Sequence, residues 1–157
     1  MIRVLFVCLG NICRSPMAEA YLRDLVSQKG LSERVMIDSA GIGHWHEGKP
    51  PYIGTRDKLD EVGISYEGMT ARQIKLDDLD NFDFIVAMDH QNYQDILNLR
   101  EEAPTAKVVR YMDVVDHELT EVPDPYHTGK FDETFDLIKL GAERLLERIM
   151  KESKEME

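Results

Sequence analysis

Cysteine, positive charge and long apolar runs are all scarce in this chain. It has two cysteines, one tryptophan, and 19 Lys plus Arg against 30 Asp plus Glu, for a formal net charge of −11 over 157 residues. Two cysteines do not make the disulfide framework of a small secreted scaffold, and they fit a reducing cytoplasmic setting. So acidic a surface opposes nucleic acid and anionic membranes and favours solubility. No apolar run reaches the roughly 20 residues that cross a bilayer, and no signal peptide is visible. Leu5-Phe6-Val7-Cys8 has a faint likeness to a lipoprotein cleavage box, but the stretch before it is too short and contains Arg3.

Other ligand signatures are missing as well. There is no Gly-Lys-Ser/Thr for a nucleotide phosphate loop, and Gly41-Ile42-Gly43 lacks the third glycine of a dinucleotide fingerprint. His44 and His46 have no third ligand nearby in sequence. Cys8 and Cys13 are not spaced as Cys-x-x-Cys and have no histidine companion, so no metal site is expected.

What is present is an alternation of strand-like and helix-period segments. Ile2 to Val7 reads as a strand, Ser15 to about Lys29 as a helix that Gly30 ends, and Val35 to Ser39 as a second strand leading into Ala40-Gly41. A helix follows over Tyr52 to Val62, then strands over Phe82 to Met88 and Lys107 to Tyr111. Asp89 is positioned to cap the helix that runs to about Leu99. Phe131, Phe135, Ile138, Ala142, Leu145 and Ile149 make one apolar face of a last helix, and the charged tail over 151–157 is expected to fray. The acidic run Asp77, Asp78, Asp80 reads as a helix start facing water. The pattern predicts a single α/β domain over 1–157: an open parallel sheet of four strands with helices on both faces. Ligands bind such folds beyond the carboxyl ends of the strands, at a switch in strand order.

Cys8-Leu9-Gly10-Asn11-Ile12-Cys13-Arg14-Ser15-Pro16 occupies that location after the first strand. The thiol and the guanidinium stand six positions apart, with five consecutive amides between them and no proline among them. Such a loop can curl its N–H groups around a tetrahedral oxyanion while Arg14 adds two parallel donors. Gly10 and Asn11 both tolerate left-handed backbone angles. Ser15 and Pro16 read as N-cap and first helical residue, aiming a helix dipole at the loop. The Ser15 hydroxyl can also donate to the Cys8 sulfur. A cysteine at a helix N-terminus beside a cation titrates well below its usual value of about 8.5, so Cys8 is expected to be thiolate at neutral pH.

Two further segments reach the same rim. Gly41 to Pro51 is too rich in Gly and Pro to be an element, and its Trp45 can wall a pocket for an aromatic group or cover the core edge. In Glu121 to His127, prolines on both sides hold Asp124 in a stiff extended turn that fixes the approach of a carboxyl.

These residues resemble the low-molecular-weight protein tyrosine phosphatases over nearly the whole chain. The likeness rests on Val7 to Pro16, Asp38-Ser39-Ala40-Gly41, Ala71-Arg72-Gln73, Met88-Asp89 and Asp124-Pro125-Tyr126. It implies the flavodoxin-like fold of the phosphotyrosine phosphatase I type. It implies Cys8 as nucleophile, Arg14 as phosphate clamp and Asp124 as general acid. Leu9, Gly10, Asn11, Ile12, Cys13 and Ser15 would complete the phosphate loop, Ser39 would support Asn11, and Trp45 and Tyr126 would flank the substrate ring. Asp89 is expected either to orient Arg14 or simply to cap a surface helix.

The resemblance implies metal-independent hydrolysis through a phosphocysteine, with no cofactor, on phosphotyrosine proteins or small aryl phosphates, with inorganic phosphate as product inhibitor, in a monomer or weak dimer. A protein-arginine phosphatase is the alternative, with the residue at the Ile12 position influencing the choice. An arsenate reductase shares the fold but needs cysteines beyond position 13, which this chain lacks. Cys13 either packs the loop or captures an oxidised Cys8 as a disulfide, which would make the thiol redox-sensitive. Two departures stand out. His127 replaces a second tyrosine, and Met69 stands where some relatives carry a histidine bonded to the loop asparagine.

Overall fold

Successive residues of a strand face opposite sides, so the run from Ile2 to Cys8 feeds two cores. In a computed structural model that describes residues 1–155, β1 (Ile2–Cys8) sends Val4, Phe6 and Cys8 to one face and Leu5 and Val7 to the other. Both faces are buried, which is why the strand reads as continuously apolar. β2 (Val35–Gly41), β3 (Phe84–Ala87) and β4 (Lys107–Arg110) join it in parallel, in the order β2-β1-β3-β4. Val4 aligns with Ile37 on one side and Phe84 on the other.

Parallel neighbours require crossovers, and helices supply most of them. α1 (Arg14–Gln28), α2 (Ile53–Val62) and α6 (Phe131–Glu155) cover the Phe6 face, and α3 (Asp78–Asn81) and α4 (His90–Leu97) cover the Leu5 face. α5 (Pro125–Thr128) is a single turn before α6. The apolar face expected of α6 is buried at Phe135, Ile138, Ala142, Leu145 and Ile149. Tyr111 anchors α6 to the sheet: its ring lies 6.2 Å from that of Phe6 and its hydroxyl donates to the Ile138 carbonyl. Each large side chain buried to this degree contributes about 1.5–3 kcal/mol.

Three local expectations are corrected. α1 begins at Arg14 with Cys13 before it, so Ser15 lies inside the first turn and its hydroxyl makes no cap bond. Its oxygen is taken up elsewhere, as described below. Pro16 is tolerated because first-turn N–H groups have no helical acceptor anyway. The tail does not fray from residue 151: α6 continues to Glu155, held where Glu152 accepts from Lys107 Nζ at 2.8 Å and Arg148 Nε at 3.2 Å. The rest of that tail, 156–157, lies outside the described residues. Asp78 is buried rather than solvated, bonded at 2.8 Å by Arg72 Nη1.

β1 leads through α1 to β2 on one side, and the chain then crosses to β3 on the other. The carboxyl ends of β1 and β3 therefore form the switch point, and Cys8 and Asp89 lie at them.

Candidate active site

Cys8 is the last residue of β1, and its parity puts the sulfur among the α1 contacts rather than in solvent; its exposure is 3%. The chain reverses immediately afterwards. Asn11 alone takes the left-handed conformation there, with φ of 58°, while Gly10 does not. A Cβ on Gly10 would come within 3.1 Å of His46 Cδ2, so the close approach of the His46 side chain uses the room that glycine leaves. Gly41 has the same kind of role: a Cβ there would come within 3.0 Å of Asn11 N. The loop is strapped from outside, where Ile42 N–H donates to the Cys8 carbonyl, Gly43 N–H to that of Leu9 and Tyr52 N–H to that of Ile12, at 3.0, 2.9 and 2.7 Å. The N–H groups of Gly10, Ile12 and Cys13 find no acceptor among the described residues.

The sulfur receives the Asn11 N–H at 3.3 Å and lies 3.0 Å from Ser15 Oγ. Asn11 Oδ1 accepts the Arg72 N–H at 2.9 Å, so its amide nitrogen faces the hydroxyls and donates to Ser15 Oγ at 2.8 Å and Ser39 Oγ at 2.9 Å. Ser39 in turn donates to Glu19 Oε1 at 2.6 Å. Ser15 Oγ therefore accepts from Asn11, and the Cys8 sulfur at 3.0 Å is the one acceptor among the described residues within reach of its own proton. That use of the oxygen explains why Ser15 does not cap α1. A chain of oriented polar groups runs from a buried carboxyl to the sulfur, each member satisfied. Burial raises the Glu19 pKa, against the Ser39 and Arg23 hydrogen bonds that lower it.

Arg14 is 2% exposed. Its Nη1 donates to Asp89 Oδ2 at 2.6 Å and to the Val122 carbonyl at 3.1 Å, and Nη2 lies 3.5 Å from Asp124 Oδ2. Asp89 thus does both things expected of it, since its other oxygen caps α4 by accepting the Asn92 N–H at 2.6 Å. Burial opposes the charge on Arg14, but the Cys8 sulfur and Asp89 outweigh it and raise its pKa. Its Nε–H is buried and has no acceptor among the described residues. Together with the unclaimed loop amides, this leaves a donor set suited to a tetrahedral oxyanion.

Asp124 precedes α5 and accepts the Tyr126 N–H at 3.1 Å, so Pro125 and its own cap bond fix its carboxyl. Asp124, Cys8, Leu9, Gly10, Ile12, Cys13, Trp45 and Tyr126 all line one cavity of about 170 Å³. Trp45 and Tyr126 are 61% and 52% exposed, so Trp45 walls the cavity and does not cover the core. Asn11, Ser15, Ser39 and Asp89 lie behind this lining.

Cys13 is a free thiol pushed up to about 12 by burial and then by the neighbouring Cys8 and Asp124. The His44 ring stacks on Trp45 and His46 lines the cavity; among the described residues no three metal-ligating side chains gather. Met69 packs in the hydrophobic core, and Asn11 Oδ1 accepts its hydrogen bond from the Arg72 main chain. His127 joins the cavity wall edge-on to Tyr126. Sequence reasoning missed Glu19 and assigned no role to Arg72, whose guanidinium is fixed by Asp38 at 3.2 Å and Asp78 at 2.8 Å. One signal for Glu19 was available: it lies one helical turn beyond Ser15, on the same face.

Comparison with known proteins places the chain in one family. A family model described as low molecular weight phosphotyrosine protein phosphatase matches residues 3–155. The low molecular weight protein-tyrosine-phosphatase YfkJ of Bacillus subtilis is 54% identical over 97% of this chain and 98% of its own length. Its crystal structure superimposes with a TM-score of 0.93 over 97% of this chain and 96% of that one. The low molecular weight protein-tyrosine-phosphatase PtpA of Staphylococcus epidermidis is 37% identical over 98% and 97% of the two chains. The structure of DARP, a Drosophila arginine phosphatase, is 32% identical with a TM-score of 0.86, over 94% of this chain and 97% of that one.

Proposed function

Since the chain belongs to the low molecular weight phosphotyrosine protein phosphatase family, we propose that it hydrolyses phosphotyrosine and aryl phosphate monoesters through a phosphocysteine at Cys8. Cys8 Sγ attacks phosphorus in line, an S–P bond forms, and the P–O bond to the leaving phenol breaks. Asp124 delivers its proton to that departing oxygen. Water then attacks phosphorus, gives a proton back to Asp124, and the S–P bond breaks to free the thiolate and phosphate. Arg14 and the loop amides hold the three equatorial oxygens through both displacements, where the charge spreads. They supply the positive field of the reaction without a metal.

The observation that carries this reading is the polarity at the sulfur. The Asn11 N–H donates to the Cys8 sulfur at 3.3 Å and the Ser15 hydroxyl lies 3.0 Å from it, so the sulfur sits among hydrogen-bonding groups at the mouth of a loop whose Gly10, Ile12 and Cys13 N–H groups have no acceptor among the described residues. Trp45 and Tyr126 favour a flat aromatic ring between them, which suits phosphotyrosine. The likeness to an arginine phosphatase supports phosphoarginine as a second substrate class on the same groups.

The test compares the wild type with Asp124→Asn on aryl phosphates of graded leaving-group acidity, with chelator present and phosphotyrosine and phosphoarginine peptides alongside. The variant should lose about 10²–10⁴-fold on esters with poor leaving groups and much less on activated ones. A uniform loss would remove the acid role from Asp124. Faster turnover of phosphoarginine than phosphotyrosine would establish the second class as the substrate.

A further inference from the structure

Beside the catalytic cavity runs a second groove of about 390 Å³ that shares Ile12, His46 and Tyr126 with it. Its own wall is Tyr52 and Ile53, which are 39% and 56% exposed, and it is edged by Lys49 and Arg56. The wall is buttressed. Tyr52 stacks on Phe131 with centroids 5.9 Å apart and meets Tyr126 edge-on at 5.3 Å. Gly54 makes that stack possible, since a Cβ there would fall 2.4 Å from the Phe131 ring. The Lys49 main chain is pinned at both ends, its N–H donating to His46 O and its carbonyl accepting from Ala71 N. Arg56 Nε donates to Pro51 O at 2.9 Å.

The charge of this edge contrasts with the rest of the molecule. On a chain of net charge −11, neither Lys49 nor Arg56 has a carboxylate within 4.0 Å among the described residues. By contrast Lys58, in the same helix as Arg56, pairs with both Glu61 and Asp132.

We propose that this groove is a subsite for the chain flanking the phosphorylated residue of a protein substrate, and that Lys49 and Arg56 select an acidic side chain there. The inference rests on the phosphotyrosine reading above. Continuity of the two cavities lets one peptide occupy both, because residues within three positions of the phosphotyrosine lie within about 10 Å along an extended chain. The general field of the protein repels acidic substrates, so these two cations give a local, short-range preference that an acidic surface cannot. Tyr52 and Ile53 supply apolar contact for the stems of the flanking residues.

The test measures kcat/KM for matched phosphotyrosine peptides with Glu or Gln at the three positions on each side, at low and high salt, with para-nitrophenyl phosphate as the substrate that has no flank. The wild type should favour the Glu peptide by about three- to tenfold at low salt, as two exposed ion pairs allow, and the preference should fade at high salt. Lys49→Glu, alone and with Arg56→Gln, should abolish or invert it. The single variant suffices if the loss of the Pro51 contact loosens the loop, because the Lys49 side chain carries none of the loop's hydrogen bonds. Equal rates on the two peptides with para-nitrophenyl phosphate turned over, or a preference untouched in Lys49→Glu, overturn this inference and leave the phosphatase reading standing. No turnover of any of the three overturns both.

Discussion

The floor and the rim of the site are built on opposite plans. On the floor, Cys8, Asn11, Arg14, Ser15 and Ser39 are all at most 4% exposed, and the sulfur lies at the end of a relay that reaches down to Glu19. At the rim, Trp45, Tyr52 and Tyr126 are 39–61% exposed, and Tyr52 and Tyr126 meet only edge-on. A buried polar group has large energetic consequences when its partner is lost, whereas an exposed aromatic contact is worth little by itself. Under the proposed mechanism the floor sets the rate, and the rim sets which molecule stays long enough to react.

The sharpest break of that division is Cys8→Ser. It should lower kcat by roughly 10⁵–10⁶-fold, the scale on which deletion of a nucleophile acts, while vanadate or phosphate still binds with measurable affinity. Residual turnover near the wild-type rate would move the chemistry away from the floor. Trp45→Ala should act on the other half. KM for aryl phosphates should rise about three- to tenfold with kcat changed by less than twofold, since about 0.5–1.5 kcal/mol of ring contact is removed. A loss confined to kcat would show that the rim takes part in the chemistry.

The smallest effect lies beneath the floor. Glu19→Gln keeps an acceptor for Ser39, so the relay keeps its direction and turnover should fall less than about tenfold, the worth of one hydrogen bond. Its stability signature is more distinctive. Burial raises the folded Glu19 pKa above its unfolded value, so folding favours the protonated form. The contribution is full below the unfolded value of about 4.3 and is lost as pH rises through the folded one. Relative to Glu19→Gln, the wild type should lose Tm as melts step from pH 4 toward neutrality. Parallel Tm profiles would mean that the carboxyl titrates as it does in the unfolded chain.

Much of this was legible from residues alone where the signal was local. The Cys8 to Ser15 loop declares itself because its donors are consecutive in the chain, and period and capping residues located every strand and the longer helices. Asp89 was ambiguous in sequence because one carboxylate serves both readings, capping α4 with one oxygen and holding Arg14 with the other. Ser15 was misread as a cap because the competing takers of its oxygen, Cys8 and Asn11, follow from the tight fold of the loop and not from helix rules. The end of α6 was misread for a similar reason. Its charges have a partner, Lys107, that belongs to the edge strand β4.

By itself the sequence determined the parallel α/β architecture, the identity of the thiol, guanidinium and carboxyl, and their family, because periodicity and a contiguous anion loop are properties of neighbouring residues. Tertiary structure alone decided that Glu19, 20 positions from Ser39, anchors the hydrogen-bonded chain that ends at Cys8, and that the Arg72 amide, 61 positions from Asn11, braces the loop asparagine. It also decided that Lys49 and Arg56 edge a groove continuous with the catalytic cavity. Those relations depend on strand register and on loops meeting across the switch point, distances that no local pattern encodes.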